Sequence, residues 1–564
     1  MTDVIDLLPL IETEAASMRK ERIEKHGVEA VLFNTTPALV GSWRGGALAD
    51  PERGLVEPPR PTDIAGKTRW WLRAILAAGA WETLGKHLAI SQLDELASRL
   101  MGSAAEHGEA SKLVIRTEPL HPPRVMTWSL TASRAVKCDL GPVSLREQLL
   151  EKAKNSLDQV LEVCREMGVK EPRLCHEAAL LSARVAFTLQ GREDPLEIAE
   201  QLPLPPGFYR FRLAAYPRPG AGLDPVEERL LGLALGMALF FTGIGRGVTR
   251  GYGKLAPEEG ADGIKGESEL AETMHWVYRT LVEQGEHALE KIAEEAAETA
   301  REYMEKLVAE EPHRLQRLIN RHTWCIDLPL AYTLHPEFIV TRTVPLHQVV
   351  LPQLSGSRIA CNSDPWCVVA AINEAVKKTT IKSLILGKSY HGTGIGIPSY
   401  VLGLPRKDTY RIEGKLPRLL SMIHFTPIYY ESKNRNNING KLLIVGFTSE
   451  LLCISRFWSI DGREITYGCP TDLKTRISCE LALKSVATAP RRRVEVTGHS
   501  LPYRKLIEVL HELCLSDYGG DYSDDSPIGD SCREYRFLFD HKYDKGLCVN
   551  LGKTIKILEL LLTS

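Results

Sequence analysis

The chain has 564 residues, of which 44% are hydrophobic and 25% charged, and its formal net charge is −2. This length predicts roughly two to four domains, because a single hydrophobic core does not grow that large. The near-neutral charge excludes a protein that binds nucleic acid through a uniformly basic surface, so any such role must come from local basic patches.

The cysteines and the apolar runs bear on the cellular compartment. The twelve cysteines are scattered without a C-x-x-C pair, which argues against a zinc ribbon and predicts reduced thiols that mostly act as small buried hydrophobes. The N-terminus lacks the basic region of a secretory signal, and no apolar run approaches the roughly 20 residues that span a bilayer. We therefore expect a cytoplasmic protein with no membrane partner, metal or cofactor.

The first half of the chain alternates strands and helices. The predicted elements are, in chain order, a strand at 28–43, a helix at 63–80, a helical stretch closing at 101–103, a strand at 111–117, helices at 143–169 and 174–190, a strand at 207–216 and a helix at 225–241 capped by Asp224. Strand, helix, strand and then strand, helix, loop is the pattern of a split β-α-β, ferredoxin-like unit.

A glycine-rich loop at 242–255 is the most informative motif. It reads TGIGRGVTRGYGKL and places Arg246, Arg250 and Lys254 among five glycines. Glycines let a backbone approach a ligand closely, and cations set between them favour an anion such as phosphate. The spacing fits neither a Walker A loop nor a dinucleotide fingerprint. The alternative is a flexible surface loop without a ligand.

The predicted helix at 63–80 carries a second group of cations. Lys67, Arg69 and Arg73 stand beside Trp70 and Trp71. Either these cations form an ordinary solvated face, or they run along a groove that holds a phosphate backbone. Because successive residues do not share one helix face, we expect one tryptophan to pack inward and the other to lie at a rim.

The rest of the chain divides by composition. Residues 257–320 are dense in Glu and Ala and predict a solvated helical insertion or a helical connector. Further strands are predicted at 325–332, 338–341, 420–430 and 441–447, with a second glycine stretch at 387–404 and helices at 500–515 and 553–562. We therefore predict three segments, at 1–256, 257–322 and 323–564.

Several phrases of the sequence together match the pattern of one family. They are Thr36-Pro37 through Gly41, Arg60-Pro61 through Arg73, Met101-Gly102-Ser103, the loop from Thr242 to Lys254, Leu402-Gly-Leu-Pro-Arg406 and Pro417-Arg418 through Ser421. This set resembles the RAMP superfamily of CRISPR-associated RNA-binding proteins, and more closely the first RAMP subunit of the type III-B (Cmr) effector complex. The chain departs from the family pattern at Thr242, Thr249 and Met422.

The resemblance implies an α+β fold with two ferredoxin-like (RRM-like) RAMP domains and helical insertions. It implies a non-catalytic RNA-binding subunit that meets the 3′ region of the CRISPR guide RNA, the target RNA and other RAMP subunits. The residues expected to bind RNA are Lys67, Arg69, Arg73, Arg246, Arg250, Lys254, Arg406 and Arg418, with Tyr252 as a stacking partner.

Two other functions stay open at this point. One is a RAMP endoribonuclease that processes guides, with His391 in the second glycine stretch as its acid or base. A lone histidine in a loop is, however, commonly just a polar contact. The other function is an assembly cap, whose acidic helices at 257–320 dock neighbouring subunits.

Overall fold

The computed structural model describes residues 16–40, 58–84, 90–103, 110–120, 209–313, 333–352, 358–378, 423–431 and 438–447, with shorter pieces between and after them. Its strands are β1 (Val28–Asn34), β2 (Leu48–Asp50), β3 (Leu55–Val56), β4 (Leu113–Pro119), β5 (Arg210–Pro217), β6 (Leu255–Pro257), β7 (Ile264–Lys265), β8 (Ile339–Pro345), β9 (Val350–Pro352), β10 (Arg358–Ala360), β11 (Arg411–Ile412), β12 (Ile423–Glu431), β13 (Ile438–Phe447), β14 (Phe457–Trp458), β15 (Thr466–Gly468) and β16 (Glu480–Ala482).

The labelled α-helices are α1 (Pro61–Leu84), α2 (Ile90–Met101), α3 (Pro225–Gly236), α4 (Glu269–Glu283), α5 (Ala288–Glu310) and α6 (Pro365–Lys378). A π-helical turn at Met237–Thr242 extends α3. Asp224 caps α3 as predicted: its side chain accepts from Glu227 N, and the Glu227 side chain returns to Asp224 N in a capping box. Helices and antiparallel sheets together make this an α+β structure.

The first sheet has the strand order β4-β5-β1-β6, and β7 also pairs with β1. Every pairing is antiparallel. Alternation buries one face of the central strands, where Leu32, Phe211 and Leu213 have less than 1% of their surface exposed. The predicted strands at 28–43, 111–117 and 207–216 are confirmed, although β1 ends at Asn34 because the chain turns there onto the glycine loop.

The second sheet has the order β12-β13-β8, again antiparallel. The two sheets share one feature of order: β5 lies between β1 and β4, which precede it in the chain, and β13 lies between β8 and β12, which precede it. The strands predicted near 338–341, 420–430 and 441–447 are confirmed. Helix α6 was not among the sequence predictions, because its apolar run does not have the regular charged face that marks a surface helix.

Helices α4 and α5 correct the prediction that residues 257–320 are solvated. The segment is helical as expected, but one face of each helix is buried: the buried side chains of α5 include Leu289, Ile292, Ala296, Tyr303 and Met304. This face packs on α1 and α3. The glutamates that dominate the composition lie on the opposite face, so the helices belong to the core.

An aromatic cluster joins the two halves of the molecule. Trp71 and Phe241 come from the first half, and His424 and Phe447 come from the second. Their ring centroids lie 5.4–6.3 Å apart, in stacked and edge-on arrangements that favour packing. Trp71 is fully buried and Trp70 is partly exposed, which confirms the predicted division between the two tryptophans. One hydrophobic core thus continues through both halves.

The expectation of reduced cysteines is wrong for one pair. Cys361 and Cys367 form a disulfide with their Cα atoms 5.2 Å apart. The turn between β10 and α6 brings them together, since Cys361 directly follows the strand and Cys367 lies in the first turn of the helix.

Several predicted elements lie outside the described residues. They are the helices at 143–169, 174–190 and 500–515, the strand at 325–332 and the glycine stretch at 387–404. Of the terminal helix at 553–562, four residues are described, and all four are helical. Among the described helices, none has the length and apolar character needed to cross a membrane.

Candidate nucleic-acid interface

The glycine loop lies along the segment that follows β1. Thr35 N donates to Lys254 O at 2.7 Å, Gly253 N to Pro37 O at 2.9 Å and Arg246 N to Leu39 O at 2.7 Å. The Thr36-Pro37 phrase and the glycine loop, both singled out in the sequence, are therefore neighbours in space. These backbone bonds make the loop an ordered structure and exclude the alternative of a flexible surface loop.

The glycines are needed for this geometry. All five loop glycines have positive φ, between 72° and 86° except for Gly253 at 62°. At Gly253 a Cβ atom would lie 2.0 Å from the carbonyl oxygen of Ile244, which is backbone and has no room to move aside. The sequence suggested that the glycines let a ligand come close to the backbone. In the structure they instead let two parts of the loop, at Ile244 and Gly253, come close to each other.

Lys254 is fully buried, which corrects its assignment as a phosphate ligand, and the partly buried Lys67 is bonded to a backbone carbonyl. The Nζ atom of Lys254 donates to the carbonyls of Phe241 and Thr242 at 2.7 and 2.9 Å, and the Lys254 side chain is buried. Lys67 Nζ donates to the carbonyl of Gly243 at 2.5 Å. The loop follows the C-terminal end of a helix, where carbonyls lack partners and the helix dipole is negative, so both ammonium groups stabilise that end.

Tyr252 is also buried, with 1% of its surface exposed. As placed, its ring has no face open to a base, which corrects its assignment as a stacking partner. It is one of the largest buried side chains among the described residues. The aromatic position of the motif therefore anchors the loop to the core.

Arg69 and Arg73 are held by Asp94 of α2. Arg69 Nε lies 3.0 Å from Asp94 Oδ1, and Arg69 Nη1 donates to Gly102 O. Arg73 Nη1 lies 3.3 Å from the same carboxylate oxygen. Both side chains are mostly covered. They fix α2 and the Gly102 turn against α1, which gives both arginines a structural role, and their role as RNA ligands stays a prediction.

Two of the predicted cations remain at the surface. The Arg246 side chain is exposed and that of Arg250 is partly exposed. The backbone of each is fixed, because Arg246 N bonds to Leu39 O and Arg250 N bonds to Gly247 O at 2.7 Å. Arg406, Arg418 and His391 lie outside the described residues, and their roles stay predictions.

Strand β12 of the second half also contacts the glycine loop, which no sequence pattern indicated. Phe425 N donates to Thr249 O at 3.1 Å, and Lys254 Nζ lies 3.2 Å from Thr426 Oγ1. A Cβ atom on Gly251 would lie 2.9 Å from Ile372 of α6. Hydrophobic periodicity could locate β12 but not the strand's neighbour across the molecule.

The outer face of the first sheet is balanced in charge. Arg210 pairs with Glu258 at 2.7 Å, and Arg212 lies 3.5 Å from both Glu29 and Glu118. Arg210 and Arg212 of β5 therefore have carboxylate partners on the neighbouring strands and on the turn after β6.

The buried lysines predict a pH dependence. Burial lowers the pKa of Lys67 to about 8, as it does that of Lys441, whose Nζ donates to Val282 O. In the unfolded chain both lysines have their ordinary pKa of 10.5. Between about pH 8 and 10.5 the unfolded chain therefore binds more protons than the folded one, and the free energy of unfolding rises with pH.

We expect Lys67→Met and Lys441→Met each to reduce the slope of that rise by up to about 1 kcal/mol per pH unit, measured by urea unfolding at several pH values. Parallel profiles for wild type and both variants would contradict these pKa shifts.

Within the described ranges, no group of three or more His, Cys, Asp or Glu side chains comes together as a metal site.

Three solved structures that are similar to the chain are of Cmr proteins. Two are structures of the Type III-B Cmr-beta, one bound to cognate target RNA and AMPPnP in the presence of ssDNA and the other bound to cognate target RNA. The alignments cover 76% and 75% of this chain and 97% and 95% of those chains, with 14% identity and TM-scores of 0.42 and 0.41. The third is Cmr1 from Pyrococcus furiosus in its apo form, with 14% identity, coverage of 75% and 88%, and a TM-score of 0.33. No protein-family model matches the chain, and no curated protein matches it.

Proposed function

We propose that the chain is a non-catalytic RNA-binding subunit of a type III-B CRISPR effector complex, in contact with the guide 3′ region, the target RNA, or both. Other RAMP subunits of that complex are its proposed protein partners, and its proposed cellular location is the cytoplasm. Each half is a ferredoxin-like RAMP domain in this proposal. The strand order β4-β5-β1-β6, with helices α1 and α3 as the crossovers, supports that assignment for the first half.

The observation that carries the proposal is the ordered loop with two arginines at the surface. Arg246 and Arg250 project from a backbone that is fixed by hydrogen bonds to residues 37–40 and to the loop itself. Guanidinium groups match the geometry of phosphate oxygens, and a rigid backbone reduces the entropy lost on binding. Compared with the nine residues predicted from the sequence, this site is smaller and is centred on the loop.

Replacing Arg246 and Arg250 together by glutamine should weaken the binding of labelled single-stranded RNA to the full chain. Each lost phosphate contact lowers the slope of log K against log salt by about 0.7, so that the double variant should lose about 1.4. Fluorescence anisotropy over a series of salt concentrations measures both affinity and slope. Arg279→Gln, at an exposed arginine of α4 paired with Glu283, is the matched control. An unchanged slope in the double variant would remove the loop from the RNA site.

The absence of catalysis is a separate part of the proposal. Incubating the full chain with labelled repeat RNA in EDTA tests it directly. Intact RNA is the expected result. Site-specific cleavage that disappears in His391→Ala would instead identify a guide-processing endoribonuclease.

A further inference from the structure

The Lys254 ammonium lies at the junction between the two halves. It has three hydrogen-bond acceptors: the carbonyl oxygens of Phe241 and Thr242, and Oγ1 of Thr426 at 3.2 Å. An ammonium group has three donors, so these acceptors satisfy all of them. These three acceptors carry no formal charge. Burial and the nearby Lys67 charge accordingly lower the pKa of Lys254 well below its ordinary value.

The Thr426 hydroxyl closes this arrangement. It is fully buried and donates to Phe241 O at 2.9 Å while it accepts from Lys254 Nζ. Thr426 belongs to β12 in the second half, whereas Phe241 lies in the π-helical turn of the first half. Through this hydroxyl, the strand of one half is tied to the helix end from which the glycine loop emerges.

The same strand fixes the loop beside its arginines. Phe425, the neighbour of Thr426, donates its N–H to Thr249 O, next to Arg250. Pro427, on the other side of Thr426, lies within 3.4 Å of the Cβ position of Gly251. Three consecutive residues of β12 therefore contact the loop at Lys254, Thr249 and Gly251, on both sides of Arg250.

We propose that Lys254 and Thr426 are positioning residues that hold the glycine loop in its RNA-binding conformation by docking β12 against it. RNA binding by the first half then depends on contact with the second half. The inference rests on the proposed RNA-binding role of Arg246 and Arg250, and it gives the lysine at position 254 a different task from phosphate binding.

The test uses the full chain and two substitutions that keep side-chain volume. Lys254→Met removes the ammonium, and Thr426→Val removes the hydroxyl that bonds to it. Thr426→Ser keeps the hydroxyl and should behave as the wild type does. Lys441→Met is the matched control, because Lys441 is another buried lysine between the halves, and its Nζ donates to Val282 O rather than to the glycine loop.

Hydrogen exchange gives a readout that does not involve RNA. The amides of Ile244, Arg246, Arg250 and Gly253 are hydrogen-bonded, so they are protected in the intact loop. We expect Lys254→Met and Thr426→Val to speed exchange at these amides by at least about tenfold, while the amides of β5 and α5 keep their protection. Lys441→Met and Thr426→Ser should leave the loop amides unchanged.

Binding of labelled single-stranded RNA completes the test. Affinity should fall by at least about tenfold in Lys254→Met and Thr426→Val, the equivalent of one lost charge-assisted hydrogen bond, and stay within about twofold for Lys441→Met and Thr426→Ser. The positioning role is overturned if Arg246→Gln/Arg250→Gln weakens binding while Lys254→Met and Thr426→Val do not, or if exchange rises equally in all parts of the chain. If the arginine variant binds RNA as the wild type does, the proposed function itself has failed.

Discussion

Replacing Gly253 by alanine is expected to destabilise the chain by about 3 kcal/mol or more. A left-handed backbone costs an alanine roughly 1–2 kcal/mol. At this position the added Cβ would also lie 2.0 Å from the Ile244 carbonyl oxygen, so the loop must open and release Tyr252 and Lys254 from the core. Urea unfolding monitored by tryptophan fluorescence measures the loss.

Gly220→Ala separates the two contributions to that loss. Gly220 also has a positive φ, of 80°, but a Cβ atom there meets nothing within 4 Å. Its replacement should therefore cost only the backbone term, about 1 kcal/mol. If the two variants lose the same stability, the loop does not pack against itself as the structure shows.

Gly79→Ala is expected to lower stability by about 1–3 kcal/mol, although alanine is the better helix former. The Cβ atom would lie 2.6 Å from the backbone carbonyl carbon and from the Cβ of Ala300, where α1 and α5 cross closely. The two helices must then separate by a fraction of an ångström, which disturbs the packing of both. Thermal and urea unfolding of the full chain measure the effect.

Gly66→Ala on the same helix should change stability in the opposite direction. A Cβ atom at Gly66 meets nothing within 4 Å, so the substitution should stabilise by up to about 1 kcal/mol through helix propensity alone. Opposite signs for the two variants would confirm that α5 packs on α1. Equal, stabilising effects would return residues 257–320 to the solvated segment that their composition predicted.

This packing also decides how an assembly role can be tested. Deleting residues 257–320 would remove side chains such as Ile292, Tyr303 and Met304 from the core, so the loss of a partner in that deletion would report unfolding. Substitutions confined to the exposed glutamates of α5, such as Glu294→Lys, change the outer face and leave the core intact.

Local patterns in the sequence predicted the described strands of seven residues or more and all the labelled helices except α6. Alternation located β5, a capping aspartate and a proline marked the start of α3, and strand signals located β12 and β13. Each of these signals depends on residues close in sequence, where the periods of strand and helix are directly readable. The composition of α5 was misleading because its many glutamates lie on one face only, and the buried face carries alanines together with larger apolar side chains.

The candidate site shows the same division more sharply. The sequence by itself determined that residues 242–255 form a loop with an unusual backbone, because five glycines in so short a segment indicate positive φ angles. The family pattern also linked the Thr36-Pro37 phrase to this loop. The partners of these cations were decided only by tertiary structure. Backbone carbonyls at the end of the π-helical turn accept from the two lysines, and Asp94 pairs with Arg69 and Arg73, while Arg246 is exposed and Arg250 partly exposed. Partners of this kind lie far away in sequence, and a buried donor or acceptor must be satisfied by whatever the fold brings near it.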